Sequence, residues 1–400
     1  MRLDRGLGHL TYCTNIHPGE TWAEVKASLE RHLPAIRRQV APDRSFGVGL
    51  RLSALAAQAL RAPAAMDELR RLLAEHDLYL FTINGFPYGP FHGRRVKEQV
   101  YQPDWGHEER LVYTDLLADL LCDLLPDDPD LEGSISTVPG TFRPLAEAPG
   151  AIERIADNLI RHAAHLVRLR EASGRTIALA IEPEPFCLLE TIEETAGFFE
   201  RHLLGSAAVR RLSQLTGLGP GEGEAALRRH LGVCYDVCHA AVEFEDPKGS
   251  LERLAAAGIR IPKLQLSAAL RVPAVDAAVA GHLRSFDEPV YLHQVVERRG
   301  EALIRHLDLS DALATLDGAA GKAEWRVHFH VPIFLAELEH FSTTQDFLRE
   351  ILELHRTTPI SAHLEAETYS FDVLPERYRR VDVTSAVARE LTWIREQLAG

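Results

Sequence analysis

No long apolar run occurs in this sequence of 400 residues, although 46% of the residues are hydrophobic. A membrane-spanning helix needs roughly 18 consecutive apolar residues, and the opening MRLDRGLGHLTYCTN has no apolar signal-peptide core. Positive charge is in deficit, with a formal net charge of −14. Because a sequence-independent nucleic-acid binder needs a positive face, we expect a cytoplasmic protein with neither a membrane nor a nucleic-acid partner.

Cysteine is scarce, and several common motifs are missing. The five cysteines are odd in number and scattered, so we expect reduced, mostly buried thiols rather than a disulfide framework.

There is no G-x-S-x-G nucleophile elbow, no G-x-G-x-x-G dinucleotide fingerprint and no P-loop. The sequence therefore has none of the local signatures of those three enzyme classes.

Short β-rich segments alternate with longer helical patterns along the whole chain. Eight segments are predicted as strands: 7–15, 45–53, 78–86, 132–140, 176–185, 230–239, 260–267 and 361–370. Between them, Thr21 and Glu24 predict a capping box at the start of one helix, and Pro63 predicts the first turn of another. Eight strands separated mostly by helices predict a (β/α)8 TIM barrel, formed by a single domain over residues 1–400.

The segment between the last two predicted strands is too long for one connecting helix. Residues 268–358 contain two β-like runs, PVYLHQVVE (289–297) and EWRVHFHVPIF (324–334). We predict that this segment is an extended insertion above the barrel mouth. The alternative is that WRVHFHVPI is itself a barrel strand and that one of the other eight strand predictions is wrong.

Polar residues stand at the C-terminal ends of the predicted strands, where a TIM barrel places its active site. Glu182 follows IALAI, Asp236 follows GVCY and Gln265 follows PKL. In SAHLEAE, Glu365 and Glu367 alternate with small or apolar residues, a period of two that points both carboxylates inward. We therefore expect these side chains to converge on one pocket.

Such a group of acids must be neutralised. Two like charges about 4 Å apart repel by roughly 4 kcal/mol at an effective dielectric constant near 20, so the group either takes up protons or binds a cation. One Asp, one Gln and two Glu form an oxygen-rich shell that suits a hard or borderline divalent ion. The alternative is that each acid merely caps the following helix or pairs with an arginine.

Histidine is abundant, with 19 residues. His328 and His330 have the two-residue spacing that places both imidazoles on one face of a strand, although a zinc site would need a third ligand nearby. The stretch GVCYDVCHA (232–240) suggests zinc when it is considered alone. As a barrel strand it instead delivers Asp236 and His239 to the pocket, with its two cysteines as packing.

These strand-end residues resemble the xylose-isomerase-like TIM barrel superfamily, which includes sugar and sugar-phosphate isomerases and epimerases, hydroxypyruvate isomerase, inosose dehydratase and endonuclease IV. The resemblance implies one divalent metal ion, which is Mn, Mg, Co or Zn. The implied ligands are Glu182, Asp236, Gln265 and Glu367. Glu365 is the competing assignment for the last ligand.

A narrower resemblance covers residues 11–375. YCTNIHPGETW, TINGFPYGPFHG, STVPGTFR, IEPEPFCLLET and HLEAETYSFDVLP resemble EboE, the xylose-isomerase-like member of the ebo metabolite-traffic gene cluster. This resemblance implies a role in metabolite biosynthesis or traffic, with other proteins of the same cluster as partners, but it supplies no reaction. Gln rather than His at position 265, together with the long insertion, departs from the wider superfamily.

The function that these resemblances imply is a metal-dependent isomerase or epimerase acting on a sugar, cyclitol or related hydroxy-ketone. Glu182 and Glu367 would pass a proton on and off the carbon beside the carbonyl. The expected substrate-binding residues are His239, His17, Asn84, His330 and Glu365. The alternatives are a non-catalytic protein that binds and handles a small metabolite, and an endonuclease-IV-like repair enzyme, which the net charge disfavours.

Overall fold

Eight parallel strands form a barrel in the computed structural model, which describes residues 1–93, 95–316, 323–376 and 381–399. The first seven are β1 (His9–Tyr12), β2 (Phe46–Arg51), β3 (Leu78–Asn84), β4 (Gly133–Thr137), β5 (Ile177–Ile181), β6 (Leu231–Asp236) and β7 (Arg260–Leu266). The eighth, β14 (His363–Ala366), lies between β1 and β7. Each predicted strand segment contains one of these strands, and the predicted (β/α)8 TIM barrel is confirmed.

The barrel closes between β1 and β2 through a side-chain contact. Gly49 N donates to Thr11 Oγ1 at 3.0 Å, and Thr11 Oγ1 donates to Gly47 O at 2.7 Å. Glycine is required at position 49, because a Cβ there would lie 2.0 Å from Glu365 Oε1. The two strands therefore approach closely around a buried carboxylate.

Helices cover the outside of the barrel. Their bounds are α1 (Trp22–Val40), α2 (Ala54–Ala59), α3 (Pro63–Glu75), α4 (Glu108–Leu124), α5 (Arg143–Ala146), α6 (Ala151–Ser173), α7 (Ile192–Phe198), α8 (Ser206–Thr216), α9 (Pro220–His230), α10 (Val237–Val242), α11 (Pro247–Ala256), α12 (Ala277–Leu283), α13 (Leu309–Ala314), α14 (Gln345–Thr357) and α15 (Val383–Ala399). The predicted capping box of Thr21 and Glu24 starts α1, and Pro63 starts α3. Within the described ranges, no helix has both the length and the apolar character needed to cross a membrane.

Between β7 and β14 the chain forms a second sheet. Its strands are β8 (Leu270–Val272), β9 (Val295–Arg299), β10 (Ala302–His306), β11 (Glu324–Val327), β12 (Glu337–Leu338) and β13 (Phe341–Thr343), all antiparallel in the order β10-β9-β11-β8-β13-β12. The predicted insertion before the last barrel strand is confirmed. The alternative that residues 324–334 supply a barrel strand is wrong, because β11 pairs with β8 and β9.

The C-terminal helix α15 places a carboxyl group in the interior. Glu390 is only 3% exposed, and its Oε1 accepts hydrogen bonds from Thr368 Oγ1 (2.7 Å) and from Ile333 N (3.2 Å). Burial raises the pKa of Glu390 to about 7. This one side chain therefore joins α15 to the insertion and to the segment after β14, at an electrostatic cost when it ionises.

We predict that Glu390→Gln stabilises the protein at alkaline pH. The folded chain retains a proton that the unfolded chain releases near its ordinary pKa, so the free energy of unfolding falls as pH rises from about 4.5 to about 7. The variant should therefore be more stable at pH 8, by up to about 3 kcal/mol, and the difference should vanish below pH 4.5. Urea unfolding of wild type and variant, at pH 8 and again below pH 4.5, measures the difference in their free energies of unfolding.

The matched control is Glu396→Gln, an exposed position on the same helix. That exchange should change the free energy of unfolding little at either pH. A wild-type protein at least as stable as Glu390→Gln at pH 8 would contradict the prediction.

Candidate active site

Three carboxylates meet at the C-terminal ends of barrel strands. Glu182 follows β5, Asp236 ends β6 and Glu367 follows β14. One carboxylate oxygen from each lies within 4.8 Å of the other two, and each residue is 3 to 4% exposed. We call these three residues the carboxylate cluster.

Two members of the carboxylate cluster, Glu182 and Glu367, hold protons more tightly than isolated acids do. Burial, followed by the nearby charges of Glu367 and Asp236, raises the pKa of Glu182 well above its usual value. Burial, followed by Asp236 and Glu365, likewise raises the pKa of Glu367. Either protons or a cation must therefore offset the charge at this point.

Two oxygens of the carboxylate cluster have no partner in the protein. Asp236 Oδ1 accepts hydrogen bonds from Ser267 Oγ (2.7 Å) and from His239 N (3.1 Å), which caps α10. Asp236 Oδ2 and Glu182 Oε2 are buried and accept none. Adjacent free carboxylate oxygens are suitable donors for a hard divalent ion, so this cluster fits a metal.

The third carboxylate is held in place by two amides. Asn15 Nδ2 donates to Glu367 Oε1 at 2.7 Å, and Asn84 Nδ2 donates to the same oxygen at 3.2 Å. The other amide atom of Asn84, its Oδ1, accepts from Phe86 N at 3.1 Å. The orientation of Glu367 is therefore set from β3 and from the segment after β1.

Two further expected site residues have partners inside the barrel. In β7, Gln265 Oε1 accepts from the Cys234 thiol at 3.0 Å, so this oxygen is engaged rather than free. Glu365 pairs with Lys263 Nζ at 2.5 Å, and both side chains are fully buried. Although burial alone lowers the pKa of Lys263, Glu365 raises it above the usual value. The structure thus brings Glu365 to a lysine rather than to the carboxylate cluster.

Three histidines meet beside the carboxylate cluster. His239 lies in α10, whereas His328 and His330 follow β11 in the insertion. His239 Nε2 lies 3.1 Å from His328 Nε2, which lies 3.2 Å from His330 Nε2. Burial, followed by the neighbouring imidazoles, lowers the pKa of His328, and burial lowers that of His330 to about 4. We call these three residues the histidine cluster.

A cavity lined by residues of both clusters lies at this end of the barrel. Its polar wall includes Asn84 and His239, and its apolar wall includes Phe91, Tyr291 and Tyr369. The three rings of that apolar wall pack with centroids 5.1 to 5.3 Å apart. The cavity is therefore lined by polar groups as well as by aromatic rings.

The structure does not bring His17 to this cavity. Its imidazole stacks on His32 with ring centroids 4.0 Å apart, and His17 Nε2 shares a hydrogen bond with Tyr12 Oη at 2.9 Å. His17 follows β1, at the correct end of the barrel, but its side chain packs between β1 and α1. Position at a strand end was therefore an insufficient criterion here.

Sequence reasoning missed three residues that surround the clusters. Tyr101 Oη donates to Glu184 Oε1 at 2.8 Å, and Gln294 Nε2 donates to Tyr101 Oη at 3.0 Å. Glu184 carried a usable signal, because it lies two residues after Glu182 in EPEP. Tyr101 and Gln294 carried no such signal.

No family model and no curated protein matches this sequence. Among solved structures, the chain is similar to a xylose isomerase-like TIM barrel protein from Mycobacterium smegmatis in complex with magnesium. The identity is 10%, the match covers 98% of this chain and 96% of that chain, and the TM-score is 0.52. The chain therefore has the xylose isomerase-like TIM barrel fold.

Two other solved structures align over most of the chain with lower scores. The IolI protein with a bound zinc atom is 13% identical, with 98% of this chain and 97% of that chain covered and a TM-score of 0.46. The probable 3-DHS dehydratase AsbF from Bacillus anthracis is 13% identical, with 96% and 97% covered and a TM-score of 0.43.

We predict that Lys263→Met destabilises the protein strongly. It leaves Glu365 charged and unpaired inside the barrel, which costs about 3–5 kcal/mol. Adding Glu365→Gln should recover much of this loss, because no charge then remains unpaired. Denaturant unfolding of the two single variants and of the double variant measures the interaction energy between the two side chains. Additive effects of the two substitutions on the free energy of unfolding would contradict the prediction.

Proposed function

We propose that the protein is a divalent-metal-dependent isomerase or epimerase acting on a sugar, cyclitol or related hydroxy-ketone. The observation that carries the proposal is the carboxylate cluster, with its two unpartnered oxygens at the base of a cavity. Glu182, Asp236 and Glu367 would hold the ion. Gln265 would join them once its oxygen released the Cys234 thiol. The magnesium in the Mycobacterium smegmatis protein of similar fold supports this assignment.

The residues around the ion suit proton transfer at carbon. When bound, a divalent ion polarises a substrate carbonyl as a Lewis acid. Glu182 would accept the proton from the adjacent carbon. Glu367, oriented by the amides of Asn15 and Asn84, would return a proton to the neighbouring position.

The cavity walls suit a compact polar ring. Asn84 and His239 line the cavity and would hydrogen-bond substrate hydroxyls, while Tyr291 and Tyr369 would cover the C–H face of the ring. His330 does not line the cavity and would act through His328. The motifs that resemble EboE support a role in a cytoplasmic metabolite biosynthesis or traffic pathway.

We predict that Glu182→Ala abolishes stoichiometric binding of manganese or magnesium. Removing one of the clustered carboxylates removes both a ligand and a negative charge. Metal analysis of the purified, dialysed chain measures the loss. Glu171→Ala, an exposed position at the end of α6, is the control and should retain the ion. Undiminished binding in Glu182→Ala would refute the proposed ion site.

Turnover is tested separately from metal binding. The metal-loaded protein is incubated in deuterated water with a panel of ketohexoses and an inosose, and deuterium at the carbon beside the carbonyl is followed by NMR. Exchange is expected for at least one compound and should disappear in Glu182→Ala. A compound that binds in the cavity but never exchanges would instead favour a non-catalytic binding protein.

A further inference from the structure

His92 is hydrogen-bonded to two segments that lie far from it, and far from each other, in the sequence. Its Nε2 lies 2.5 Å from Asn15 O, in the segment after β1, and its Nδ1 lies 3.1 Å from Tyr291 Oη, in the insertion. His92 itself lies between β3 and α4, next to Phe91. Because Asn15, Phe91 and Tyr291 all line the cavity, three parts of its wall meet at one imidazole.

The two contacts define which ring nitrogen of His92 carries the hydrogen. A backbone carbonyl oxygen only accepts, so Nε2 donates to Asn15 O. In the neutral imidazole Nδ1 then has a lone pair, and Tyr291 Oη donates to it. Burial lowers the pKa of His92, although the bond to Asn15 offsets part of this effect. The neutral form is therefore expected near pH 7.

The bond to Asn15 supports a residue whose backbone is buried. Asn15 is 3% exposed and lies in the short turn Thr14–Ile16, where a carbonyl group without a partner would be unfavourable. The side chain of the same residue donates from Nδ2 to Glu367 Oε1 at 2.7 Å. Asn15 is thus held through its carbonyl group by His92, and its amide in turn orients one member of the carboxylate cluster.

The bond to Tyr291 fixes an aromatic ring of the cavity wall. That ring packs against Phe91 and Tyr369, with centroids 5.1 and 5.2 Å away. Buried tyrosines usually place the hydroxyl group on a polar partner while the ring packs. Since Tyr291 belongs to the insertion and His92 to a barrel segment, this bond also sets the insertion relative to the barrel.

The segment that carries His92 is itself anchored to the barrel. Arg51, in β2, donates from Nη2 to Gly89 O at 2.5 Å, and Glu20 Oε1 accepts from Phe91 N at 3.2 Å. Arg51 and Glu20 are also paired with each other at 3.0 Å. These bonds fix the backbone just before His92, so its imidazole has a defined position from which to hold its partners.

We infer that His92 is a positioning residue, which holds Asn15 so that its amide orients Glu367 and which ties the insertion to the barrel through Tyr291. His92 acts through these two neighbours and takes no part in proton transfer. The inference rests on the proposed function in one respect, because Glu367 is there both a metal ligand and a proton donor. The two hydrogen bonds themselves are independent of that function.

Magnetic resonance of the metal-free, full-length chain with isotope-labelled histidine tests the two bonds. The His92 signals, assigned by their loss in His92→Gln, should show a hydrogen on Nε2 and none on Nδ1. Tyr291→Phe should shift the Nδ1 resonance, because that nitrogen loses its donor. A hydrogen on Nδ1, or an Nδ1 resonance that is unchanged in Tyr291→Phe, would overturn the inference.

Manganese titration tests the consequence for Glu367. Glutamine keeps a donor where Nε2 was, whereas asparagine keeps only an acceptor where Nδ1 was. His92→Asn should therefore weaken manganese binding by about tenfold, as changes in groups that support metal ligands do, and His92→Gln should bind nearly as wild type. His202→Asn, the same exchange at a half-buried position between α7 and α8, is the matched control and should bind as wild type.

The two His92 variants separate a positioning role from a general loss of stability. Equal losses of affinity in His92→Asn and His92→Gln, or no loss in either, would overturn the inference. Wild-type protein that binds no manganese would instead refute the proposed function. The side-chain amide signal of Asn15 then decides, because it should shift more in His92→Asn than in His92→Gln, and equal shifts would overturn the positioning role.

Discussion

Buried negative charge is the constraint around which the barrel mouth is organised. Inside the barrel, the negative charge of Glu365 is neutralised by Lys263. At the barrel mouth, the charge of the carboxylate cluster has no such partner, because no lysine or arginine in the described part of the chain pairs with it. Lys97 lines the cavity, but it is already bonded to Asp308. The charge of the cluster must therefore be met by protons or by an ion from outside the chain.

The site is composite, and its geometry depends on how the insertion packs on the barrel. Phe244 lies just after α10. The Cζ atoms of Arg298 (β9) and Arg326 (β11) lie 4.4 and 4.0 Å from the centroid of its ring. These cation–π contacts hold the second sheet against the helix that carries His239. As a result, His328 reaches the carboxyl ends of β5 and β6. The insertion thus supplies binding groups as well as a cover.

Much of the fold, and part of the site, follows from local sequence patterns. Short β-rich segments predicted the strands, and polar residues at the ends of three of them predicted that Glu182, Asp236 and Glu367 converge. Contacts between distant segments were not predictable in this way. The pairing of Glu365 with Lys263 depends on the register between β14 and β7, which no local pattern encodes. His17 also follows a strand, but its imidazole stacks on His32 of α1 and does not line the cavity, which no local pattern encodes either.

Asp236 and His239 show why one short motif serves both clusters. Asp236 Oδ1 caps α10 by accepting from the backbone N–H of His239, the third residue of that helix. This cap spacing places the imidazole beside the carboxylate, and the imidazole Nδ1 also hydrogen-bonds the Pro183 carbonyl. It also occupies Oδ1, which leaves Oδ2 as the oxygen that is buried without a hydrogen bond. A structural cap therefore determines which oxygen is free for chemistry, and it aligns an oxygen donor and a nitrogen donor 3.9 Å apart.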